Sequence, residues 1–354
     1  MTCADTKQCS KYQNKKKLTC FSKQKKNKDG LNGYCRECDA LKRRDCNSTR
    51  IVFISTLVAS SKQRSTKRGT GQNELSVTIF ADICRKQRDR CIYSGLPVNF
   101  AMMTHWQASI VRLDNNDDYL VNNSALCALE FNVRAGWTAA KAKYAATHTD
   151  SVDNATVEDN VCEALSKRTI RKPYCRMQRK EEGGVILTLC GICCKWKLQT
   201  DFYDSMGTTC KGCTSDKSKH YVSTWRGAFL RLVGNALHSC RTPTREARGL
   251  VCDITFKDIV NMYSEQSGCC MYSGVPLTKE GDWKVSLERK NVHVGYIRKN
   301  CCLIAMEFQG NDHTARSMLD STGGGGWTRD KYLFFRANYD PANVHATVSS
   351  RDSC

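Results

Sequence analysis

The sequence predicts an α+β chain built from two copies of one module, and three observations carry that prediction. The stretch CIYSGLPV at Cys91–Val98 returns as CMYSGVPL at Cys270–Leu277. The stretch from Trp106 to Asn132 aligns without a gap to the stretch from Trp283 to Gln309, at an offset of 177 residues. A Cys-rich segment precedes each of them, Cys9–Cys38 in the first half and Cys190–Cys213 in the second. Self-similarity at a fixed period marks a repeated structural unit.

Inside the aligned stretch Arg112 meets Arg289, Tyr119 meets Tyr296, Asn123 meets Asn300, and Glu130-Phe131 meets Glu307-Phe308. FADI at Phe80 is matched to FKDI at Phe256, and Gly-Trp-Thr at Gly136 recurs at Gly326 after a longer loop. The modules are expected at residues 1–145 and 185–340. The polar, charge-blocked segment 146–184 is expected to link them with one short helix, and 341–354 to form a tail.

Each module reads as a knuckle, helices, a turn, two short strands and a final helix. WRGAFLRLVGNALHSC carries Phe229, Leu232, Val233 and Leu237 at helical spacing. ITFKDIVNMYSEQSG reads as a second helix. YSGxP, with Tyr93 and Gly95 or Tyr272 and Gly274, reads as a turn entering the first strand. The last helix is expected to begin near AMEFQ. Trp106, Trp283, Phe131 and Phe308 are expected in the module cores.

The composition allows buried cores, with 40% hydrophobic and 25% charged residues, and the net charge is +20. An excess of that size favours a polyanionic partner, nucleic acid first. No run of eighteen apolar residues offers a membrane span, and the N-terminus has no apolar signal region. An intracellular, reducing compartment rather than secretion is therefore expected. There, the 23 cysteines include CxxC pairs that read as metal ligands before disulfides.

Cys190, Cys193, Cys210 and Cys213 form two such pairs with sixteen residues between them. Two residues between thiolates let both grip one tetrahedral Zn²⁺, so a structural zinc is expected here. The first copy keeps Cys35, Cys38 and Cys9, but Tyr12 stands where Cys193 would be. Cys3 or Cys20 is left to supply the fourth thiolate, or the site is lost.

The order of knuckle, YSGxP, SLERKN, Gly-Tyr, Asn and EFQ resembles the HNH, or His-Me finger, endonucleases of phages, large viruses and protists. The paired CxxC segment is similar to that of phage recombination endonuclease VII. The resemblance covers most of both modules and implies a ββα-metal fold holding one Mg²⁺ or Mn²⁺ against a phosphodiester. It implies that Glu288 takes the acid position, Arg289 the general-base position, Asn300 the middle Asn and Gln309 the helix ligand. In the first copy Val111 replaces the acid and Arg112 the base, with Asn123 and Asn132 at the two Asn positions.

The departures weigh on this. An arginine stays protonated and cannot act as a base, although it can clamp phosphate. His293, between the strands, is a candidate replacement base. His313, four residues after Gln309, is a candidate further ligand if that segment is helical. Basic runs add Lys15, Lys16, Lys17, Arg43 and Arg44, with Arg112 and Arg289, as candidate nucleic-acid contacts. Two functions are expected in competition. One is a DNA-binding protein, with RNA as the other partner, whose second module is a metal-dependent endonuclease. The other is a non-catalytic binding or structural protein made of two decayed modules.

Overall fold

The computed structural model of the chain describes residues 6–46, 49–69, 71–133, 136–166, 177–204, 207–310 and 326–348. It is an α+β protein, as the pattern predicts, and divides into two compact units. Unit 1 comprises Met1–Ala146, Gly310–Trp327 and Phe334–Cys354; unit 2 comprises Thr147–Gln309 and Thr328–Leu333.

Unit 1 opens with two small antiparallel hairpins, β1 (Thr6–Gln8) with β2 (Lys15–Lys17) and β3 (Phe21–Lys23) with β4 (Leu31–Cys35). Helices α1 (Arg36–Cys46), α2 (Arg50–Arg68) and α3 (Val77–Lys86) follow. The hairpin of β5 (Ala108–Arg112) and β6 (Ser124–Ala128) comes next, then α4 (Ala139–Thr147). Helix α3 starts where it does because the Ser76 hydroxyl accepts from the Ile79 amide, one of the four amides a helix start leaves unpaired. Gly69, at φ +76, ends α2 in the left-handed conformation that glycine adopts without a Cβ clash.

Unit 2 repeats the plan. Helix α5 (Asn154–Leu165) comes first, within the segment expected as a linker. It is packed, not free: Val157 and Ala164 are buried, and a Glu163 carboxylate oxygen accepts from the Trp225 amide. A three-stranded sheet follows, of β7 (Arg179–Glu182), β8 (Val185–Leu189) and β9 (Trp196–Leu198). Helices α6 (Lys211–Val222), α7 (Trp225–Cys240), α8 (Pro243–Glu246) and α9 (Phe256–Glu265) lead to the hairpin of β10 (Val285–Arg289) and β11 (Cys301–Ala305). The described chain closes with α10 (Arg329–Asn338), which divides between the units at Phe334, and with α11 (Pro341–Val348) of unit 1, so helix covers most of the expected tail.

The two hairpins are superimposable in register. Ala108 faces Ala128 and Arg112 faces Ser124; Val285 faces Ala305 and Arg289 faces Cys301. One glutamine per unit fastens the hairpin to the helix before it. Gln87 Nε2 donates to the carbonyls of Arg90 and Leu126, while its Oε1 accepts from the Leu126 amide. Gln266 does the same with Cys269 and Leu303. These bonds satisfy backbone groups inside the core that would otherwise be costly to bury. The aromatic core is shared as well. Trp106 stacks on Phe131 at 6.4 Å and Trp283 on Phe308 at 6.2 Å.

Three readings of the sequence are corrected. Gln87 with Gln266, and the caps Ser76 with Thr255, fix an offset of 179 between α3 and α9. Phe80 therefore corresponds to Ile259, not Phe256; a three-residue slip is almost one helical turn and preserves the apolar pattern. In α7 the buried stripe runs through Trp225, Phe229, Leu232, Ala236 and Cys240, while Leu237 is exposed. The stretch AMEFQ forms only a 3₁₀ turn over Met306–Phe308, and Gln309 is extended. In the first copy the α-helix starts after Gly-Trp-Thr, at Ala139. The reason is a tertiary contact: the Glu130 and Glu307 carboxylates turn back to accept from the amides of Trp106 and Trp283, 24 residues earlier.

Replacing Gln266 by Ala removes three part-buried hydrogen bonds, to the Cys269 carbonyl and to the carbonyl and amide of Leu303. The expected loss is about 1–3 kcal/mol of stability, read by urea unfolding. Gln87→Ala is expected to cost unit 1 about as much.

Candidate functional site

Two groups of sulfur atoms stand out. Cys190, Cys193, Cys210 and Cys213 place their four sulfurs within 4.8 Å of one another, as do the three of Cys9, Cys35 and Cys38. Among the described residues these are the groups of three or more His, Cys, Asp or Glu that can share one metal ion.

Local backbone geometry builds each group. The chain reverses after Cys190 because Cys194, at φ 52, donates its amide to the Cys190 carbonyl. Gln13, at φ 58, does the same for Cys9. Across the knuckle the Cys210 amide donates to Cys190 Sγ and the Cys35 amide to Cys9 Sγ, both at 3.3 Å. Cys194 is exposed and belongs to neither group.

The electrostatics suit a cation. The Cys35 amide, aided by those of Lys11 and Tyr12 and opposed by burial, lowers the Cys9 thiol to about 6. At Cys190 burial opposes ionisation, but the amides of Cys210, Cys193 and Ile192 outweigh it and bring the thiol to about 6. Burial, then hydrogen bonding to neighbouring sulfurs, pushes Cys38 and Cys213 up to about 12. Each knuckle thus has a ready thiolate beside a thiol that ionises only when a cation arrives.

Of the expected fourth ligands in the first knuckle, Cys20 is exposed and stands outside the sulfur group. Cys3 lies outside the described residues. Tyr12 holds the position of Cys193 and is 56% exposed.

The hairpin residues of the second copy also come together, but largely to hold the loop between the strands. Arg289 is buried; its Nη1 donates to the carbonyl of Val292 at 3.1 Å, and its guanidinium lies 4.9 Å from the Tyr296 ring. Asn300 Nδ2 donates to the carbonyls of Asn291 and Gly295, and its Oδ1 accepts from the Asn291 amide. The first copy does likewise. Arg112 Nη1 donates to the carbonyls of Asn115 and Asp117 beside Tyr119, and Asn123 ties Asp114 and Asp118.

Gln309 reaches back to the first strand. Its Nε2 donates to Glu288 Oε2 at 3.0 Å and its Oε1 accepts from the Ser286 hydroxyl. Asn132 Nδ2 donates to Ser109 Oγ and to the Ile110 carbonyl, the second bond matched by Gln309 Nε2 on the Leu287 carbonyl. Ser109 and Ser286 were missed by motif reading, although both occupy the same place in the aligned repeat.

Glu288 is half-buried on β10, opposite Cys302. His293 is exposed, with its Nδ1 3.4 Å from the Arg248 guanidinium, and His313 lies outside the described residues. Among the basic candidates, Lys15 and Lys17 are exposed, whereas Lys16 pairs with Glu37 at 2.5 Å. Arg43 and Arg44 fall in α1, with side chains outside the described set. No helix of the described residues is long and apolar enough to cross a membrane. Comparison with family models, curated proteins and solved structures finds no match for this chain.

Two outcomes follow from this geometry. Arg289→Met is expected to destabilise unit 2 by about 1–3 kcal/mol in urea unfolding, because the loop carbonyls of Val292 and Val294 lose a charged donor. Metal bound at the knuckles is expected to leave as pH falls. The thiolates of Cys9 and Cys190 exist above their lowered values near 6 and are lost below them. Metal retained after dialysis at pH 5 equal to that at pH 7.5 would contradict the thiolate assignment.

Proposed function

We propose that this chain is a nucleic-acid-binding protein whose two HNH-like modules serve as metal-stapled scaffolds rather than as nuclease centres. One observation carries the reading. At the position of the general base, both copies hold an arginine whose guanidinium is engaged with carbonyls of its own loop and a tyrosine face. An arginine cannot accept a proton near neutral pH, and one bound to its own loop is not presented to a phosphate.

The neighbouring groups support the same reading. Gln309 uses its amide oxygen on Ser286 and its amide nitrogen on Glu288, so the acid of the resemblance is tied to the hairpin. Val111 offers no ligand in the first copy. Among the described residues the half-buried Glu288 belongs to no group of three or more His, Cys, Asp or Glu that could share a Mg²⁺ or Mn²⁺.

Zinc is the metal proposed for the knuckles. Four thiolates suit its tetrahedral, sulfur-rich preference, and a saturated set leaves no open position for chemistry. The proposed partner is DNA, with RNA as the other nucleic acid to be tested. Residues 1–145 carry 26 Lys and Arg against 12 Asp and Glu, a net +14 of the chain's +20. Charge of that density favours phosphate contacts that position the protein rather than read bases.

Elemental analysis is expected to find one tightly held zinc per chain, lost in Cys213→Ser, and a second held more weakly at Cys9, Cys35 and Cys38. Binding to duplex DNA is expected with a log–log salt slope of about −4 to −5 if about five phosphates are neutralised. Plasmid incubated with the protein and Mg²⁺ or Mn²⁺ is expected to remain supercoiled. Nicking that disappears in Glu288→Ala would overturn the scaffold reading in favour of an endonuclease.

A further inference from the structure

The two knuckles share one backbone, which makes each a control for the other. In unit 1, Thr6 faces Lys17, Lys7 faces Lys16 and Gln8 faces Lys15. In unit 2 the same register pairs Leu187 with Leu198, Thr188 with Lys197 and Leu189 with Trp196. Side chains alternate between the faces of a strand, so each hairpin has two distinct faces. One face of the first carries Thr6, Gln8, Lys15 and Lys17, all exposed. The equivalent face of the second carries Leu187, Leu189, Trp196 and Leu198.

The fold therefore does not demand lysine at these positions; the second copy builds the same hairpin with apolar residues. The lysines on the opposite face have local duties. Lys7 pairs with Asp29 at 2.6 Å and lies over the Phe21 ring, and Lys16 pairs with Glu37. Lys15 and Lys17 have no such acid among the described residues, and neither do Lys23, Lys25, Lys26 and Lys28 around the turn from β3 to β4. All six are exposed. Residues 6–46 hold 13 Lys and Arg against 4 Asp and Glu, whereas the equivalent residues 187–222 hold 5 against 3.

We infer that phosphate binding is concentrated on the first knuckle, on the hairpin face that carries Lys15 and Lys17. Its ligand is the phosphodiester backbone of a nucleic acid. The inference rests on the nucleic-acid reading above and assigns the contact to one module. Unpaired, exposed cations gain most from displacing the counterions of a polyanion, whereas Lys7 and Lys16 must first give up their carboxylates.

The test exchanges the faces. In Lys15→Trp/Lys17→Leu the first hairpin receives the residues of the second; Lys15→Gln/Lys17→Gln serves as a milder companion, and Lys195→Gln/Lys197→Gln as the control. Each full-length, metal-loaded protein is titrated with a duplex DNA, a single-stranded DNA and an RNA oligonucleotide across a salt series, with metal content measured in parallel. Both first-knuckle variants are expected to keep their metal and to lower the magnitude of the duplex slope by about 2, close to 0.9 for each lysine. The control is expected to keep the parental slope. Equal loss in first-knuckle and control variants, or none in either, would overturn the one-sided assignment while leaving the nucleic-acid reading standing. Failure of the parent protein to bind any of the three oligonucleotides, with binding to anionic lipid vesicles instead, would overturn that reading itself.

Discussion

Sulfur atoms crowded together are the constraint on which each knuckle depends. The second has a core of Cys190, Phe202 and Cys210, with Cys193 and Cys213 packed against it; the first has Cys9, Phe21, Cys35 and Cys38. One phenylalanine per knuckle buries too little apolar surface to offset the ordering of some thirty residues. Like charges on sulfurs this close repel, so all the thiols ionise only with a cation among them. A shared ion at these sites would resolve both problems, and the amides aimed at Cys9 and Cys190 favour the ionised thiols it needs.

The hairpins solve a different problem with polar side chains. A loop of eleven residues joins the two strands in each unit, too long to be held by a turn type alone. An arginine from the end of the first strand and an asparagine just before the second donate into that loop's carbonyls. The third tie, Asn132 or Gln309, returns from beyond the second strand to the serine of the first. The proposed likeness to HNH nucleases rests on these residues, and here they account for backbone groups that would otherwise lack partners.

Where the copies agree, the residues serve the fold; where they differ, the difference is free to serve function. Gln87 and Gln266, Trp106 and Trp283, and Arg112 and Arg289 belong to the first kind. Tyr12 against Cys193, Val111 against Glu288, and Lys15 and Lys17 against Trp196 and Leu198 belong to the second. The divergence is spread over knuckle and hairpin alike, whereas the register of every shared strand pair is unchanged.

The sequence by itself determined the duplication, the α+β class, the hairpin alignment and the cysteines that gather in each knuckle. These are features of spacing: a gapless offset preserves strand register, and two residues between thiols preserve a common ligand position. Only the tertiary structure decided what the charged and amide side chains do. Arg289 as a base, a phosphate clamp or a loop tie is one residue type in one pattern, and its partners are fixed by the path of the loop around it. The same holds for Lys16, which its pairing with Glu37, twenty-one residues away, separates from Lys15 and Lys17. The slip at Phe80 and the 3₁₀ turn at AMEFQ have the matching cause. Helical periodicity tolerates a shift of nearly one turn, and the buried bends at Glu130 and Glu307 depend on amides 24 residues earlier in the chain.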